Sequence, residues 1–271
     1  MRLGYDEAAP GAPADLCVVN TCTVTAEGDL KGRKLIRRLA RQNPGAEIIV
    51  MGCYATRAPH EVAALPGVSE VVTDKRDLPG LLARRGLKDV PTGISAFGRR
   101  RRAYVKVQDG CRMKCGYCII PLVRPRLQSR PVQDVLDEVR RLVDAGHREV
   151  VLTGIHLGHY GIGLGGRAGG GPLFRGRDGE TSLRCPRPNL ARLLEQVADL
   201  EGDFRVRLSS IEAAEVGPGL LAAMAARPGR VCPHLHLPMQ SGSDAVLRRM
   251  RRRYSIEWFI ERCLRIREAL D

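Results

Sequence analysis

The sequence predicts an α/β protein built from two consecutive segments: a parallel-sheet domain over residues 1–93 and an incomplete parallel barrel over residues 99–271. Three observations carry this reading. Short runs of β-branched and aliphatic residues alternate with helical patterns, as expected of a parallel sheet covered on both faces. A link over Pro91–Phe97, followed by Arg99-Arg-Arg-Arg102, separates two such series. Finally, Cys22, Cys53 and Cys111 each fall just past a predicted strand, at the end of the sheet where α/β proteins place ligands.

In the first segment, Asp15–Asn20 reads as a short buried strand, and Gly28–Gln42 as a helix ended by Asn43-Pro44. Glu47–Met51 is a second buried strand and His60–Leu65 a short helix closed by Pro66-Gly67. Ser69–Thr73 is a third strand, and Leu78–Arg85 a helix. The series opens like the tail of a βα unit, without an obvious first strand. In the second segment, the strand Ala103–Gln108 runs into a cysteine loop, and Val132–Ala145 is a helix with Val135, Val139, Leu142 and Val143 on one face. The strands Glu149–Thr153, Arg205–Ser209 and His234–Leu237 interleave with helices over Leu190–Leu200 and Leu220–Ala226. Helices over Asp244–Arg251 and Ile256–Leu270 follow. Four βα units in a row fit part or all of a parallel barrel. Gly161–Pro188, rich in Gly, Arg and Pro, reads as a flexible surface insertion.

With 271 residues, 44% hydrophobic and 27% charged, the chain can bury a full core. Its net charge of +14 favours a polyanionic partner, or else basic faces that are simply solvated. Aromatic residues are only 4%, which argues against stacking platforms for single-stranded nucleic acid. No apolar run reaches the length of a membrane span, and the start lacks a signal-peptide stretch. Nine cysteines, several of them clustered, read as metal ligands in a reducing cytoplasm and not as a disulfide framework.

The densest chemistry is Cys111-Arg-Met-Lys-Cys115-Gly-Tyr-Cys118. Structural zinc takes four donors, and this run offers three. A 4Fe–4S cluster on three thiolates keeps one iron open for a substrate or cofactor. Cys22 and Cys53 are two further candidate ligands, and a third could have stood upstream of Met1, so a truncated chain is expected. Cys17 and Cys263 read as core thiols, and Cys185 and Cys232 as non-ligands.

Several stretches resemble the radical S-adenosylmethionine methylthiotransferases: Val19–Thr25, Met51–Tyr54, Gly110–Pro121, Val151–Gly158, Arg207–Glu212 and His234–Gly242. The segment Asn20-Thr-Cys-Thr-Val-Thr25 points to the branch that acts on threonylcarbamoyladenosine in tRNA. The resemblance implies an N-terminal methylthiotransferase domain lacking its first strand, then a (β/α)6-type radical SAM partial barrel that is incomplete at its C-terminus. The family's small C-terminal RNA-binding domain, of TRAM type, has no counterpart. The resemblance further implies that Cys111, Cys115 and Cys118 hold a 4Fe–4S cluster whose open iron chelates S-adenosylmethionine, cleaving it to a 5′-deoxyadenosyl radical. Tyr117 would line the adenine pocket, Gly154 would let backbone approach the cofactor, and Ser210, Glu212 and Gln240 would contact its ribose and carboxylate. Strand-end packing is the alternative for each.

By the same resemblance, Cys22 and Cys53 belong to an auxiliary 4Fe–4S cluster that carries the sulfur to be inserted. The implied reaction adds a methylthio group to carbon 2 of N6-threonylcarbamoyladenosine at tRNA position 37, with isopentenyladenosine as the alternative substrate. It consumes one S-adenosylmethionine for methyl transfer and another for the radical. The implied partners are the tRNA anticodon stem-loop, an electron donor and a sulfur source, with the enzyme a monomer. Pro125, Ala213 and the long insertion depart from the family pattern. Two further readings stand beside this one: radical SAM cleavage without thiolation, and a metal-stabilised RNA-binding protein without catalysis. The last needs a fourth ligand; His147 and His156 are the nearest histidines, neither at zinc-finger spacing.

Candidate phosphate contacts are Arg99, Arg100, Arg101 and Arg102, with a solvated linker as the alternative. Arg124, Arg126 and Arg130 follow the cysteine loop and either face the site mouth or flank the next helix. The run Arg248–Arg253 is either a further phosphate contact or the outward face of an amphipathic helix.

Overall fold

The computed structural model describes residues 8, 9, 11–86, 93, 94, 98, 100–164 and 188–270. The insertion between Gly161 and Pro188, Cys185, Arg99 and most of the Pro91–Phe97 link therefore lie mainly outside the described residues. Two compact units form, one of residues 1–91 with 118–124 and the other of residues 92–117 with 125–271.

The first unit runs β1 (Leu16–Thr21), α1 (Ala26–Gln42), β2 (Glu47–Gly52), α2 (Cys53–Arg57), α3 (Pro59–Ala63), β3 (Val68–Val72) and α4 (Leu78–Arg84). Its strands form a parallel sheet in the order β1-β2-β3. Successive residues of β2 point to opposite faces. Ile48 and Val50 pack with Val19, Ile36, Tyr54 and Val62, whereas Ile49 and Met51 pack with Val72 and Leu81. The unbroken apolar run of β2 thus belongs to a central strand covered on both faces. Thr25 caps α1, its Oγ1 accepting from Gly28 N at 3.1 Å, and Glu27 and Asp29 lie in the positive first turn. Asn43 ends the helix by donating from its side chain to Leu39 O and accepting from Ala14 N. Cys17 packs against this core but is only half-buried, less enclosed than a core thiol.

The rest of the chain supplies β4 (Arg102–Asp109), α5 (Ile120–Val123, within the first unit), β5 (Gln128–Ser129), α6 (Val132–Asp144), β6 (Glu149–Gly154), α7 (Leu190–Ala198), β7 (Arg205–Leu208), α8 (Pro218–Ala225), α9 (Asp244–Arg249) and α10 (Ile256–Leu270). The second sheet has the order β5-β4-β6-β7, with β4, β6 and β7 parallel and β5 a two-residue antiparallel edge. Ala103, Val105 and Val107 of β4 join Val150 and Leu152 of β6 and Val206 and Leu208 of β7 in one core. Val135, Val139 and Leu142 of α6 and Leu193, Leu194 and Val197 of α7 complete it. This is a partial parallel barrel.

Two expectations are corrected. His234–Leu237 forms no strand; the segment from Arg230 follows β7 through two isolated parallel bridges, Val206 with Val231 and Ser210 with His236. Pro233 and Pro238 lack amide protons and interrupt any ladder there. The helix expected over Asp244–Arg251 stops at Arg249, and Arg251 takes a positive φ of 58°. The reversal lets Arg252 N donate to Leu247 O and buries the Arg252 side chain to 4% exposure, so this basic run is not a uniformly solvated face.

At the amino ends of the barrel strands, the buried Glu149 carboxylate binds Arg102 at 2.6 Å, Arg205 at 3.0 Å and Arg207 at 2.9 Å. Burial alone would raise its pKa. The Arg207 hydrogen bond and charge, with Arg102 and Arg205, outweigh burial and hold it below the usual carboxylate range. A depressed carboxylate stabilises the fold above its unfolded pKa, and that contribution is lost as pH falls through the folded value. Glu149→Gln is therefore expected to lower stability by about 1–2 kcal/mol at neutral pH. The difference from wild type should shrink as pH drops below about 4. Denaturant unfolding at stepped pH tests this, and a pH-independent difference contradicts it.

Candidate active site at the strand ends

The carboxyl ends of β4 and β6 are tied together by one buried amide. Gln108, 1% exposed, donates from Nε2 to Asp109 O and Gly110 O, both at 2.8 Å. Its Oε1 accepts from His156 N at 2.7 Å. Gly110 takes a φ of +81° and receives the Asp109 carboxylate at its own N–H, at 2.9 Å. The chain thereby turns sharply out of the sheet and into Cys111. Gly154 pairs with Gln108 across the sheet, where an added Cβ would meet Gln108 Cβ at 2.9 Å and Oε1 at 3.0 Å. The smallness of Gly154 directly serves the packing of Gln108, whatever else approaches its backbone.

Cys111 is buried at 8% exposure, and its sulfur accepts from Met113 N at 3.4 Å. His156 Nδ1 lies 3.4 Å from the same sulfur, and its Nε2 bonds the Glu215 carboxylate. The His159 ring stacks on His156 with centroids 3.7 Å apart and an interplanar angle of 9°, and its Nε2 is 3.4 Å from the same Glu215 oxygen. Glu215 reaches this position over Gly158, where a Cβ would come within 2.0 Å of Oε2. Burial pulls the His156 pKa down, but its bonds to Cys111 and Glu215 push it up to about 9. Burial and the neighbouring His156 charge lower that of His159. For Cys111, burial raises the pKa, while the His156 and Met113 hydrogen bonds outweigh it and leave the thiol depressed. A buried sulfur that is in no disulfide and already accepts hydrogen bonds has the surroundings of a thiolate metal ligand.

The rest of the loop rests on the reversal after α9. Gly116 N donates to Met250 O at 3.0 Å, and a Cβ on Gly116 would sit 3.1 Å from Arg249 O. Gly116 and Tyr117 line an open pocket of about 310 Å³ with Val246, Arg249 and Met250. Tyr117 is 53% exposed, and Cys115 is half-buried. Arg252 binds Glu212 at 2.8 Å; burial lowers its pKa, but Glu212, together with Cys115 and Tyr117, keeps it raised. Ser210 Oγ is 2.7 Å from His236 Nδ1, and Gln240 is an exposed residue with φ +67°. The second unit therefore gathers Cys111, Cys115, Tyr117, Gly154 and Glu212 around the loop or its supports. Among the described contacts, Ser210 is tied to the His236 segment.

In the first unit, Thr21 and Gly52 are register partners on adjacent parallel strands, and Cys22 and Cys53 each follow immediately. Gly52 has φ +104°, and a Cβ there would come within 2.3 Å of Thr21 O, so only glycine fits this turn. Cys53 is buried at the start of α2, while Cys22 is exposed. Cys118 is half-buried, and Arg124, from the same 118–124 stretch of this unit, donates from Nε to Cys53 Sγ at 3.1 Å. Among the basic residues, Arg130 binds Glu138 and Lys106 O, which makes it a brace for α6. Arg102 binds Glu149, and Arg100, Arg101, Arg102 and Arg126 are all exposed.

The residues missed by sequence reasoning are Gln108, His159, Glu215 and Arg252. Gln108 had a signal, since it is an uncharged polar residue closing an alternating strand just before Gly-Cys. Glu215 had none, because only tertiary folding brings it to His156.

Comparison with known proteins places the chain in a family. Residues 105–271 match the family described as "Radical SAM superfamily", and residues 1–74 match the "Uncharacterized protein family UPF0004". The chain belongs to the radical SAM superfamily. More particularly, it is 39% identical to threonylcarbamoyladenosine tRNA methylthiotransferase MtaB of Bacillus subtilis, over 98% of this chain and 58% of that protein. It is 35% identical to tRNA-2-methylthio-N(6)-dimethylallyladenosine synthase 1 of Mycobacterium marinum, over 98% of this chain and 53% of that protein. The chain thus spans a little over half the length of these curated relatives. Among solved structures, it shares the fold of the radical S-adenosylmethionine methyltransferase TsrM from Kitasatospora setae, bound to cobalamin and a [4Fe-4S] cluster. The TM-score is 0.60 at 15% identity, over 95% of this chain and 57% of that one.

Gly154→Ala is expected to cost about 1–3 kcal/mol through overpacking against Gln108. Gly219, on α8 with open space at its Cβ position, is the control, and Gly219→Ala should gain about 0.5–1 kcal/mol. Equal effects at both positions in thermal unfolding would contradict the Gln108 assignment.

Proposed function

We propose that the chain is part of a tRNA methylthiotransferase, with the three thiols of one iron–sulfur site and two thiols of a second. The proposed reaction is methylthiolation at carbon 2 of N6-threonylcarbamoyladenosine at position 37, in the anticodon stem-loop. The observation that carries this is the placement of thiols at strand ends in both units: Cys111 past β4, and Cys22 and Cys53 past the paired ends of β1 and β2. Cys111, Cys115 and Cys118 would hold the cluster that binds S-adenosylmethionine, and Cys22 and Cys53 would belong to an auxiliary cluster. When bound, these groups supply reductive cleavage of the sulfonium and the sulfur to be inserted.

The chain's own residues then have definable tasks. Gln108 holds the turn that presents Cys111, and Gly116 seats the loop on Met250. Tyr117, exposed beside an open pocket, is the proposed contact for the adenine ring, and Glu212 is held by Arg252 close to the loop. Ser210, Gln240 and the backbone at Gly154 are the remaining proposed cofactor contacts. Exposed Arg100, Arg101 and Arg126 are the proposed phosphate contacts for tRNA, with Arg99 beside them in sequence. Arg102, Arg124 and Arg130, the other candidates, also bind Glu149, Cys53 and Glu138. Contacts of the exposed set would weaken with salt in proportion to the phosphates neutralised.

Anaerobic reconstitution with iron and sulfide counts, paramagnetic resonance and assay of S-adenosylmethionine cleavage tests the proposal. Two distinct signals are expected, one of them perturbed by S-adenosylmethionine. Cys111→Ala should lose that response and reduce cleavage to background, while Cys53→Ala should remove the second signal and spare cleavage. A single responsive cluster in the wild type would favour radical cleavage without thiolation. Zinc without iron would reject both. Methylthiolation of tRNA carrying isopentenyladenosine, with none on threonylcarbamoyladenosine, would reverse the substrate assignment.

A further inference from the structure

We propose that His156 is a positioning residue for the cysteine loop: its Nδ1–H donates to the Cys111 sulfur and raises the reduction potential of the cluster held there, with Glu215 fixing the ring. This rests on the assignment of a cluster to Cys111, Cys115 and Cys118.

The geometry is specific. His156 Nδ1 stands 3.4 Å from Cys111 Sγ, within the range of an N–H···S hydrogen bond, and both residues are buried. A sulfur bound to iron is a thiolate and can only accept, so the proton of this contact belongs to the imidazole. The opposite nitrogen donates its own N–H to the Glu215 carboxylate, which can only accept, so both ring nitrogens are donors and the ring plane is fixed. His156 N is held by Gln108 Oε1 at 2.7 Å, so both the backbone and the ring of this residue are anchored. Gly158 leaves the space that Glu215 occupies, and His159 covers the face of the ring at 3.7 Å. This is more restraint than core packing requires of a histidine, and it converges on one sulfur.

The same three side chains invite a metal reading, because ligand atoms of His156, His159 and Glu215 all lie within 4.8 Å of one another. Ring orientation argues against it. The lone pairs of imidazole nitrogens lie in the ring plane, and two rings stacked at 9° direct them side by side and not toward one ion. Hydrogen bonds to one carboxylate oxygen tolerate that arrangement, whereas tetrahedral coordination does not.

Hydrogen bonds to cluster sulfurs are among the determinants of iron–sulfur potentials, because they stabilise the more negative, reduced state. The step concerned is a one-electron reduction of the cluster by an external titrant, with no bond made or broken. His156→Leu removes the donor, and His156→Asn restores an N–H near the position of Nδ1. In the anaerobically reconstituted chain, potentiometric titration followed by paramagnetic resonance should give a more negative midpoint for His156→Leu. The expected change is about tenfold in the oxidised-to-reduced ratio at fixed ambient potential, or about 59 mV for one electron. His156→Asn should return part of it, since it restores the donor to sulfur but not the N–H to Glu215. Should His156→Leu fail to fold, wild-type protein labelled with 15N-histidine offers an independent measurement. Its reduced cluster should show weak 15N hyperfine coupling, absent in His156→Asn.

Equal midpoints for wild type and His156→Leu at equal iron content would overturn the proposal, as would absence of the 15N coupling. Retention of one divalent ion per chain after the cluster is removed, lost in His159→Ala, would replace it with the metal site. Absence of any iron–sulfur signal in the wild type would instead reject the underlying cluster assignment.

Discussion

The second unit depends on a single buried amide at the end of β4. An uncharged polar side chain at 1% exposure is costly unless its donors and acceptor are all engaged, and Gln108 engages them with Asp109 O, Gly110 O and His156 N. Those bonds couple the turn after β4 to the turn after β6. Cys111 and His156 therefore approach because one side chain fixes both turns. The parallel register makes this possible, since β4 and β6 end side by side. Gly154 follows from the same constraint, because the amide fits only against a residue without a Cβ.

The two ends of the barrel sheet divide their labour. At the amino ends, Glu149 collects three arginines, and the charge stays there as structure. At the carboxyl ends, backbone reversals at Gly110 and Arg251 bring the cysteine loop onto the segment after α9. The basic composition is thus partly absorbed internally. Arg252 is buried against Glu212, Arg130 braces α6 through Glu138, and Arg124 faces Cys53, which leaves fewer arginines for a polyanion than the net charge implies.

Most strands and helices were legible in the sequence, because periodicity reports burial directly. The unbroken apolar β2, the alternating β4 and the one-sided helix α6 each packed as their patterns required. The cysteine motif was legible as well, since its spacing is local. His234–Leu237 was misread because its alternation resembles a strand, while the prolines that flank it deny the ladder its donors. The end of α9 was misread because its charged run is helical by propensity. A tertiary contact, the burial of Arg252 against Glu212, overrides that propensity.

The sequence by itself determined which residues alternate and which thiols cluster, and hence the α/β class and the local spacing of the cysteine loop. These are properties of near neighbours, readable wherever chemistry repeats at a fixed spacing. Only the tertiary structure decided that Gln108 governs the Cys111 turn, that Arg252 is buried, and that His156 and Glu215, 59 positions apart, meet beside one sulfur. Such pairings depend on which strand ends lie side by side, and nothing in the local sequence encodes that adjacency.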